Sequence, residues 1–375
     1  MKLAFVDIGN NWDYDAGTPH ERPIGGSQSA LCYLAVALAA RGHSVMMYTA
    51  ATKPRVFQGV QCFPRTSIPP AEFAACDAVI VCNGPADRSL YLRPHLPARC
   101  RLILWTQHAS DQPAMSALQQ PEVRAAWDVI VCVSQWHAAA TQREFGLEAG
   151  RVAVLRNAVS PAFANLFPDA AALAAAKSSA PVLAYTSTPF RGLDVLLSLF
   201  PNLHGRDQRV RLRVYSSMKV YGNDEATDPY AKLYEQCRST PGVEYVGSIA
   251  QPRLAEALKS ALILSYPNTF AETSCIAVME AMAAGMLVVT SDLAALPETT
   301  MGMAVLVPGP RSAHDLPAFA RAYTERLNTA LADISRDPAQ FWAARWEQVR
   351  TVTSRCAWPV RAAEWEQFLH GRLTQ

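Results

Sequence analysis

The sequence predicts an α/β protein of two doubly wound domains, closed by a helical tail. Three observations predict it. The chain has 375 residues, more than one hydrophobic core usually serves. Short apolar runs alternate with helical patterns in two successive sets. An Ala/Ser-rich stretch, Asp169–Pro181, lies between the sets and reads as a linker. The limits drawn from these breaks are 1–168, 169–340 and, for the tail, 341–375.

The first set of strands is expected at Leu3–Asp7, Val45–Thr49, Ala78–Cys82, Leu102–Trp105, Val129–Val133 and Val152–Leu155. These runs are apolar on both faces, as strands of a parallel sheet covered by helices must be. Between the first two strands Gly25-Gly26-Ser27 opens a helix. Leu31, Leu34 and Leu38 share one face of it, and Arg41-Gly42 closes it. Strand, glycine turn, helix, strand is how a doubly wound domain begins. The second set is Val182–Thr186, Leu212–Tyr215, Glu244–Gly247, Leu262–Ser265, Leu287–Thr290 and Ala304–Val307. Helices at Leu193–Phe200, Pro252–Ser260 and Ser274–Ala284 separate these strands. Trp342, Trp346, Trp358 and Trp365 crowd the helical end, where packing across another surface is expected, with an amphipathic interfacial face as the alternative.

Composition removes several classes. Half the residues are apolar, 18% are charged and the mean hydropathy is +0.03, which excludes a disordered, collagenous or extended coiled-coil chain. No apolar run approaches the roughly 18–20 residues that span a bilayer. Met1-Lys2 leads straight into the first strand, so no secretory signal is expected. Net charge is +2, and residues 1–165 hold 14 Lys/Arg against 12 Asp/Glu, leaving 20 against 20. No basic stripe asks for nucleic acid. The nine cysteines have neither C-x-x-C nor ligand spacing, so they read as buried thiols of a reducing cytoplasm.

Two places could carry chemistry. Gly25-Gly26 at a strand-to-helix junction lets backbone approach a phosphate, with free N–H groups behind it. A tight loop explains the same two glycines, and no G-x-G-x-x-G follows the first strand. The richer segment is Tyr266–Gly285, which leaves a strand, turns at Pro267 and enters a helix near Thr273–Cys275. Glu272 precedes that helix, and Glu280 is placed two turns inside it, within roughly 80° of the same side. An acid before a helix can be a simple cap, but one inside an apolar helix is costly unless it is used. The N–H groups of Thr273, Ser274, Cys275 and Ile276 form an anion seat between the two acids. That combination suits a phosphorylated sugar or a nucleotide.

At these residues the chain resembles the retaining nucleotide-sugar glycosyltransferases of family 4. The resemblance implies the GT-B fold: two facing Rossmann-like domains, an interdomain cleft and a C-terminal helical tail, with the acceptor on the N-terminal side and the donor on the C-terminal side. Its most specific part is E-x7-E, at Glu272 and Glu280. Weaker matches follow in order: Gly25-Gly26 with Arg41-Gly-His-Ser-Val45, Thr106-Gln-His-Ala-Ser-Asp111, Val131-Cys-Val-Ser134, Leu155-Arg-Asn157, and Arg191-Gly192.

The resemblance implies a metal-independent transfer from a nucleotide-diphosphate sugar to a glycan or other hydroxyl acceptor, without a cofactor. Glu272 would meet the donor sugar at the reaction centre, with His108 near it. Arg191 would hold the diphosphate, helped by Ser187, by Gly25 and Gly26 and by the amides of Thr273–Ile276. Glu280 would take the ribose hydroxyls, and Val246, Gly247 and Ser248 would meet the base. The implied place is the cytoplasm, with room for peripheral contact at the inner face of the membrane. A 2-epimerase or hydrolase, or a non-catalytic sugar-nucleotide binder, is the alternative on the same fold. In Tyr185-Thr-Ser-Thr-Pro-Phe-Arg191 hydroxyls replace the family's upstream Arg and Arg191 replaces its Lys, which leaves open whether Lys219 supplies a second charge. Asp13-Tyr-Asp15 imitates the metal clamp of another glycosyltransferase fold, but its place in the first loop argues against one. Donor base, sugar, acceptor identity and oligomeric state are not written in the sequence.

Overall fold

The computed structural model describes residues 1–67, 73–177, 180–224 and 227–373. The linker stretch Asp169–Pro181 therefore includes two positions, 178 and 179, outside the described residues. The chain divides into two compact units. One comprises Met1–Glu21, Gly25–Ala158 and Trp358–Gln375, the other Arg22–Ile24 and Val159–Ala357. The sequence breaks at 168 and 340 mark changes of composition, whereas this division follows packing, and it places the last helix with the first unit.

The first unit holds an eight-stranded sheet. Its strands are β1 Lys2–Asp7, β2 Ser44–Thr49, β3 Arg55–Phe57, β4 Val60–Pro64, β5 Ala78–Cys82, β6 Arg101–Trp105, β7 Val129–Cys132 and β8 Val152–Val154. They lie in the order β3-β4-β2-β1-β5-β6-β7-β8, parallel except for β3 against β4. The β3–β4 hairpin was not foreseen. Its strands are short, with charged and half-exposed positions, and its turn is made by Gln58 and Gly59, both at positive φ. Two helices matter for the site: α1 Gly26–Ala39 and α2 Gln135–Phe145.

The second unit holds six parallel strands: β9 Val182–Tyr185, β10 Arg211–Val214, β11 Val243–Tyr245, β12 Ile263–Tyr266, β13 Leu287–Ser291 and β14 Val305–Val307. Their order is β11-β10-β9-β12-β13-β14. The winding thus reverses between β9 and β12 here, and between β1 and β5 in the first unit. Such a reversal splays the loops at the strands' carboxyl ends and leaves room for a ligand. Helices α3 Ala170–Ala176, α4 Leu193–Arg206, α5 Ala231–Ser239, α6 Gln251–Leu258, α7 Ile276–Ala283, α8 Leu316–Arg336 and α9 Pro338–Arg355 complete this unit. The α5 helix escaped the sequence reading, because apart from Tyr234 and Cys237 its face is polar.

The final helix, α10 Trp358–Leu373, packs on α1. Trp358 meets Tyr33, and the fully buried Trp365 meets Trp105 edge-on at 5.3 Å. Glu366 accepts hydrogen bonds from Arg41 and lies 3.1 Å from His43. Trp342 and Trp346 on α9 pack instead around Phe167, Leu173 and Val349. All four tryptophans take part in packing, Trp358 and Trp365 buried and Trp342 and Trp346 half-buried. Each buried aromatic stabilises its unit by roughly 1.5–3 kcal/mol. All nine cysteines are buried and free. Among the described residues no helix is long and apolar enough to cross a membrane.

Candidate active site

The reversal between β9 and β12 brings two separate loops together. After β9 the chain runs through Thr186-Ser187-Thr188, makes a short 3-10 turn at Pro189–Arg191 and reaches Gly192. Gly192 has φ +99°, and a Cβ there would stand 2.0 Å from the carbonyl oxygen of Pro267, in the loop after β12. Only glycine permits both the conformation and the approach. In that second loop the Asn268 side chain donates to the Phe270 carbonyl (2.6 Å) and accepts from the Phe270 N–H (3.2 Å). The loop then presents Glu272, whose own carbonyl accepts from the Ala295 N–H.

Arg191 and Glu272 consequently form an ion pair. Arg191 Nη1 donates to Glu272 Oε1 at 3.0 Å, and the Tyr266 hydroxyl donates to the same oxygen at 2.6 Å. Glu272 is only 4% exposed. The guanidinium lies over the rings of Phe190 (5.4 Å) and Phe270 (4.8 Å), contacts of roughly 0.5–2 kcal/mol each. Burial works against its charge, yet Glu272, then Tyr266 and Tyr221, hold it above the ordinary guanidinium value. Among the described residues Arg191 Nε is buried with no hydrogen-bond partner, and so are the hydroxyls of Thr186, Thr188 and Ser216. Buried donors left unmet are costly, and a phosphate's oxygens would satisfy them. Ser187 Oγ is 3.4 Å from the Tyr266 hydroxyl.

The helix start differs from the expected one. α7 begins at Ile276 with Cys275 as its N-cap, so the four amides without an intrahelical carbonyl are those of Cys275, Ile276, Ala277 and Val278. Thr273, Ser274 and Cys275 are not helical, and the Val278 N–H stands against the Cys275 thiol. The helical count from Glu272 to Glu280 therefore does not hold, and Glu280 lies one turn into α7. Its carboxylate, also 4% exposed, accepts from the Ser160 N–H at 3.2 Å. Burial raises its pKa to about 8, against the opposing pull of Ser160 and the Gln251 side chain. Among the described residues no hydrogen bond joins Glu280 to Arg191 or Glu272.

Val246, Gly247 and Ser248 follow β11, with Gly247 at φ +74°. The Val246 N–H donates to the Val214 carbonyl, and Ser217 Oγ donates to Ser248 Oγ at 2.8 Å. Tyr245 stacks on Tyr234 and donates to the Ser216 carbonyl, tying the loops after β10 and β11 together. Lys219, in the 3-10 turn Met218–Tyr221, is exposed and forms no ion pair among the described residues.

The remaining candidates belong to the first unit. Gly25 is the buried N-cap of α1 and Gly26 its exposed first residue. His108 follows β6, and burial lowers its pKa, leaving a neutral imidazole whose Nδ1 has no partner. Asp13 accepts from the Thr52 N–H, and Asp15 pairs with Arg55 at 3.2 Å. No group of three or more His, Cys, Asp or Glu is placed to hold a metal ion among the described residues. Sequence reasoning missed Tyr266 and Phe270. Tyr266 ends a strand at the reversal, a position that could have drawn attention, whereas Phe270 carried no signal.

The model for glycosyltransferase family 4 matches residues 24–163, and that for glycosyl transferases group 1 matches residues 180–328. No curated protein matches the chain by sequence. Among solved structures, sucrose-phosphate synthase from Thermosynechococcus elongatus is similar at 18% identity and TM-score 0.73, over 100% of this chain and 99% of that one. A glycosyltransferase from Rickettsia africae is similar at 12% identity and TM-score 0.72, over 100% and 98%. Anabaena Alr3699/HepE, solved in complex with UDP, is similar at 14% identity and TM-score 0.63, over 99% and 100%. These identities speak for the fold, while the two family models fall on the two sheets in chain order. The chain belongs to the family 4-type glycosyltransferases of GT-B fold.

Proposed function

We propose that the protein is a retaining, metal-independent glycosyltransferase that moves a hexosyl group from a nucleotide-diphosphate sugar to a glycan or other hydroxyl acceptor. The observation that carries this reading is the ion pair of half-buried Arg191 with buried Glu272 at the β9/β12 reversal, with unmet donors beside it. Arg191 Nε and the Thr186 and Thr188 hydroxyls suit the diphosphate, and the α7 amides add fixed positive dipole. Charge grows on the diphosphate as the bond to the sugar's anomeric carbon breaks, and donors already oriented stabilise it. Glu272 keeps its second oxygen for a sugar hydroxyl and lends negative charge near the anomeric centre. The acceptor oxygen forms the new bond, and its proton leaves with the diphosphate.

Glu280 takes the ribose hydroxyls in this reading, and the Val246–Ser248 loop takes the base. As the family resemblance implies, Gly25 and Gly26 take part in donor binding and His108 in the transfer. A UDP-type donor is favoured because Alr3699/HepE, of the same fold, binds UDP and UDP-glucose. The place of action is the cytoplasm or the inner face of the membrane. The deciding experiment incubates the protein with UDP-, GDP- and ADP-sugars and candidate glycans, with and without EDTA. Acceptor-dependent release of nucleoside diphosphate with retained anomeric configuration supports the proposal. Isomerised sugar, acceptor-independent hydrolysis or binding without turnover each overturns it, and loss of activity in EDTA restored by manganese removes the metal-independent part.

A further inference from the structure

The turn that carries His108 is gripped from two sides by residues outside the donor site. From one side comes His137 on α2, which is fully buried. Its ring Nδ1 accepts from the Val133 N–H at 3.4 Å, so the proton sits on Nε2, which donates to the His108 carbonyl at 2.8 Å. The Ser134 hydroxyl accepts from the His137 N–H and fixes the start of α2. From the other side comes Arg361 on α10. Its Nη1 donates to both oxygens of Glu364, and its Nε donates to the Asn157 carbonyl at 3.0 Å. Asn157 Nδ2 in turn donates to Gln107 Oε1 at 3.0 Å. Beneath the turn, Trp365 of α10 packs against Trp105, the last residue of β6. The Gln107 and His108 amides are bound by Asn83 Oδ1 (2.7 Å) and Thr106 Oγ1 (3.1 Å).

We propose that His137, and Arg361 acting through Asn157 and Gln107, are positioning residues for His108, so that the last helix of the chain is a working part of the first unit's site. The inference rests on the reading that His108 acts in the transfer. A side chain that must meet a substrate within a few tenths of an ångström needs its backbone held by groups that cannot relax. Arg361 suits this because its charge is anchored by Glu364, leaving Nε aimed at one carbonyl.

The test is a mutant cycle in the full-length enzyme. Arg361→Met and His137→Leu remove the grips, Gln107→Met breaks the Arg361 arm at its far end, and His137→Asn keeps an N–H donor. The expected result is a fall in kcat of about tenfold for Arg361→Met, His137→Leu and Gln107→Met. Donor KM should stay within about twofold, and His137→Asn should recover part of the rate. In a His108→Ala background the same substitutions should cause no further loss, because what they position is gone. If His108→Ala itself keeps wild-type kcat, the role of His108 in the proposed function fails. If His108→Ala is slow but the grip variants keep wild-type kcat, or add their full losses to His108→Ala, the positioning proposal fails while that role stands. Should Arg361→Met not fold, the Gln107 and His137 variants read the same cycle.

Discussion

The two sheets share one winding, yet their ligand-side loops carry different chemistry. At the reversal of the second sheet, a cation and an anion from separate loops meet under cover: Arg191 and Glu272, with Tyr266 and two phenylalanine rings around them. Just after β6 in the first sheet stands a histidine whose pKa burial lowers, on a turn bonded by His137 and Asn157. In the first sheet, the buried acid at the end of β1, Asp7, is spent on its own loop, accepting from Tyr14, Asn10 and the Gly9 N–H. The difference teaches that one winding makes two kinds of place, and that loop residues decide which holds charge. On the proposed function, a highly charged diphosphate goes to the Arg191 side, because its donors are fixed before the ligand arrives.

That contrast can be broken most directly at Glu272. Glu272→Gln should lower kcat by about 10²–10³-fold, against about tenfold for His108→Ala, the loss of one hydrogen bond to the sugar. Steady-state kinetics on both variants would reverse the comparison if the histidine proved the costlier loss. The second test compares glycines. Gly192→Ala should cost about 3 kcal/mol, since its Cβ meets the Pro267 carbonyl at positive φ. Gly146→Ala, which ends α2 in the first unit at φ +60° with nothing within 4 Å, should cost about 1 kcal/mol. Urea unfolding measures both, and equal losses would mean that the close loop approach in the second unit is not needed for its fold.

Glu280 sharpens the comparison through pH. Its folded pKa, about 8, lies above the ordinary 4.5. Below about pH 4 it is protonated folded or unfolded. Above that the unfolded chain ionises first, so the group lowers stability increasingly as pH rises to about 8. Glu280→Gln should therefore be more stable than wild type by roughly 3 kcal/mol at pH 7, with the gap closing near pH 4. Thermal melts from pH 4 to 8 show whether the gap opens with pH; a constant gap would mean the carboxyl is not held protonated. The same variant should raise donor KM. Arg191→Ala is expected to weaken nucleoside diphosphate binding by about 2 kcal/mol, leaving the bare nucleoside little changed. Calorimetric titration with both ligands decides it, and equal losses would assign Arg191 to the fold.

Much of this was legible. Strands buried on both faces announce themselves as unbroken apolar runs, and twelve of them appear within a residue or two of the expected places. Arg191, Glu272 and Glu280 stood out because a charge beside apolar runs needs a reason. The β3–β4 hairpin and α5 did not, since exposure dilutes the periodic signal. The start of α7 was set too early, because Thr273, Ser274 and Cys275 resemble helix caps while Cys275 alone fills that place.

By itself the sequence determined two α/β windings, the order of their strands along the chain and the residues able to carry charge, all of which follow from local patterns of burial and turn chemistry. Only the tertiary structure decided that the β9 and β12 loops are neighbours, that Arg191 pairs with Glu272 beside Tyr266, and that α10 returns to Asn157 and Trp105. The Arg191–Glu272 and Asn157–Arg361 contacts join residues 81 and 204 positions apart. No periodicity reaches that far; sheet order and the packing of Trp358 and Trp365 do.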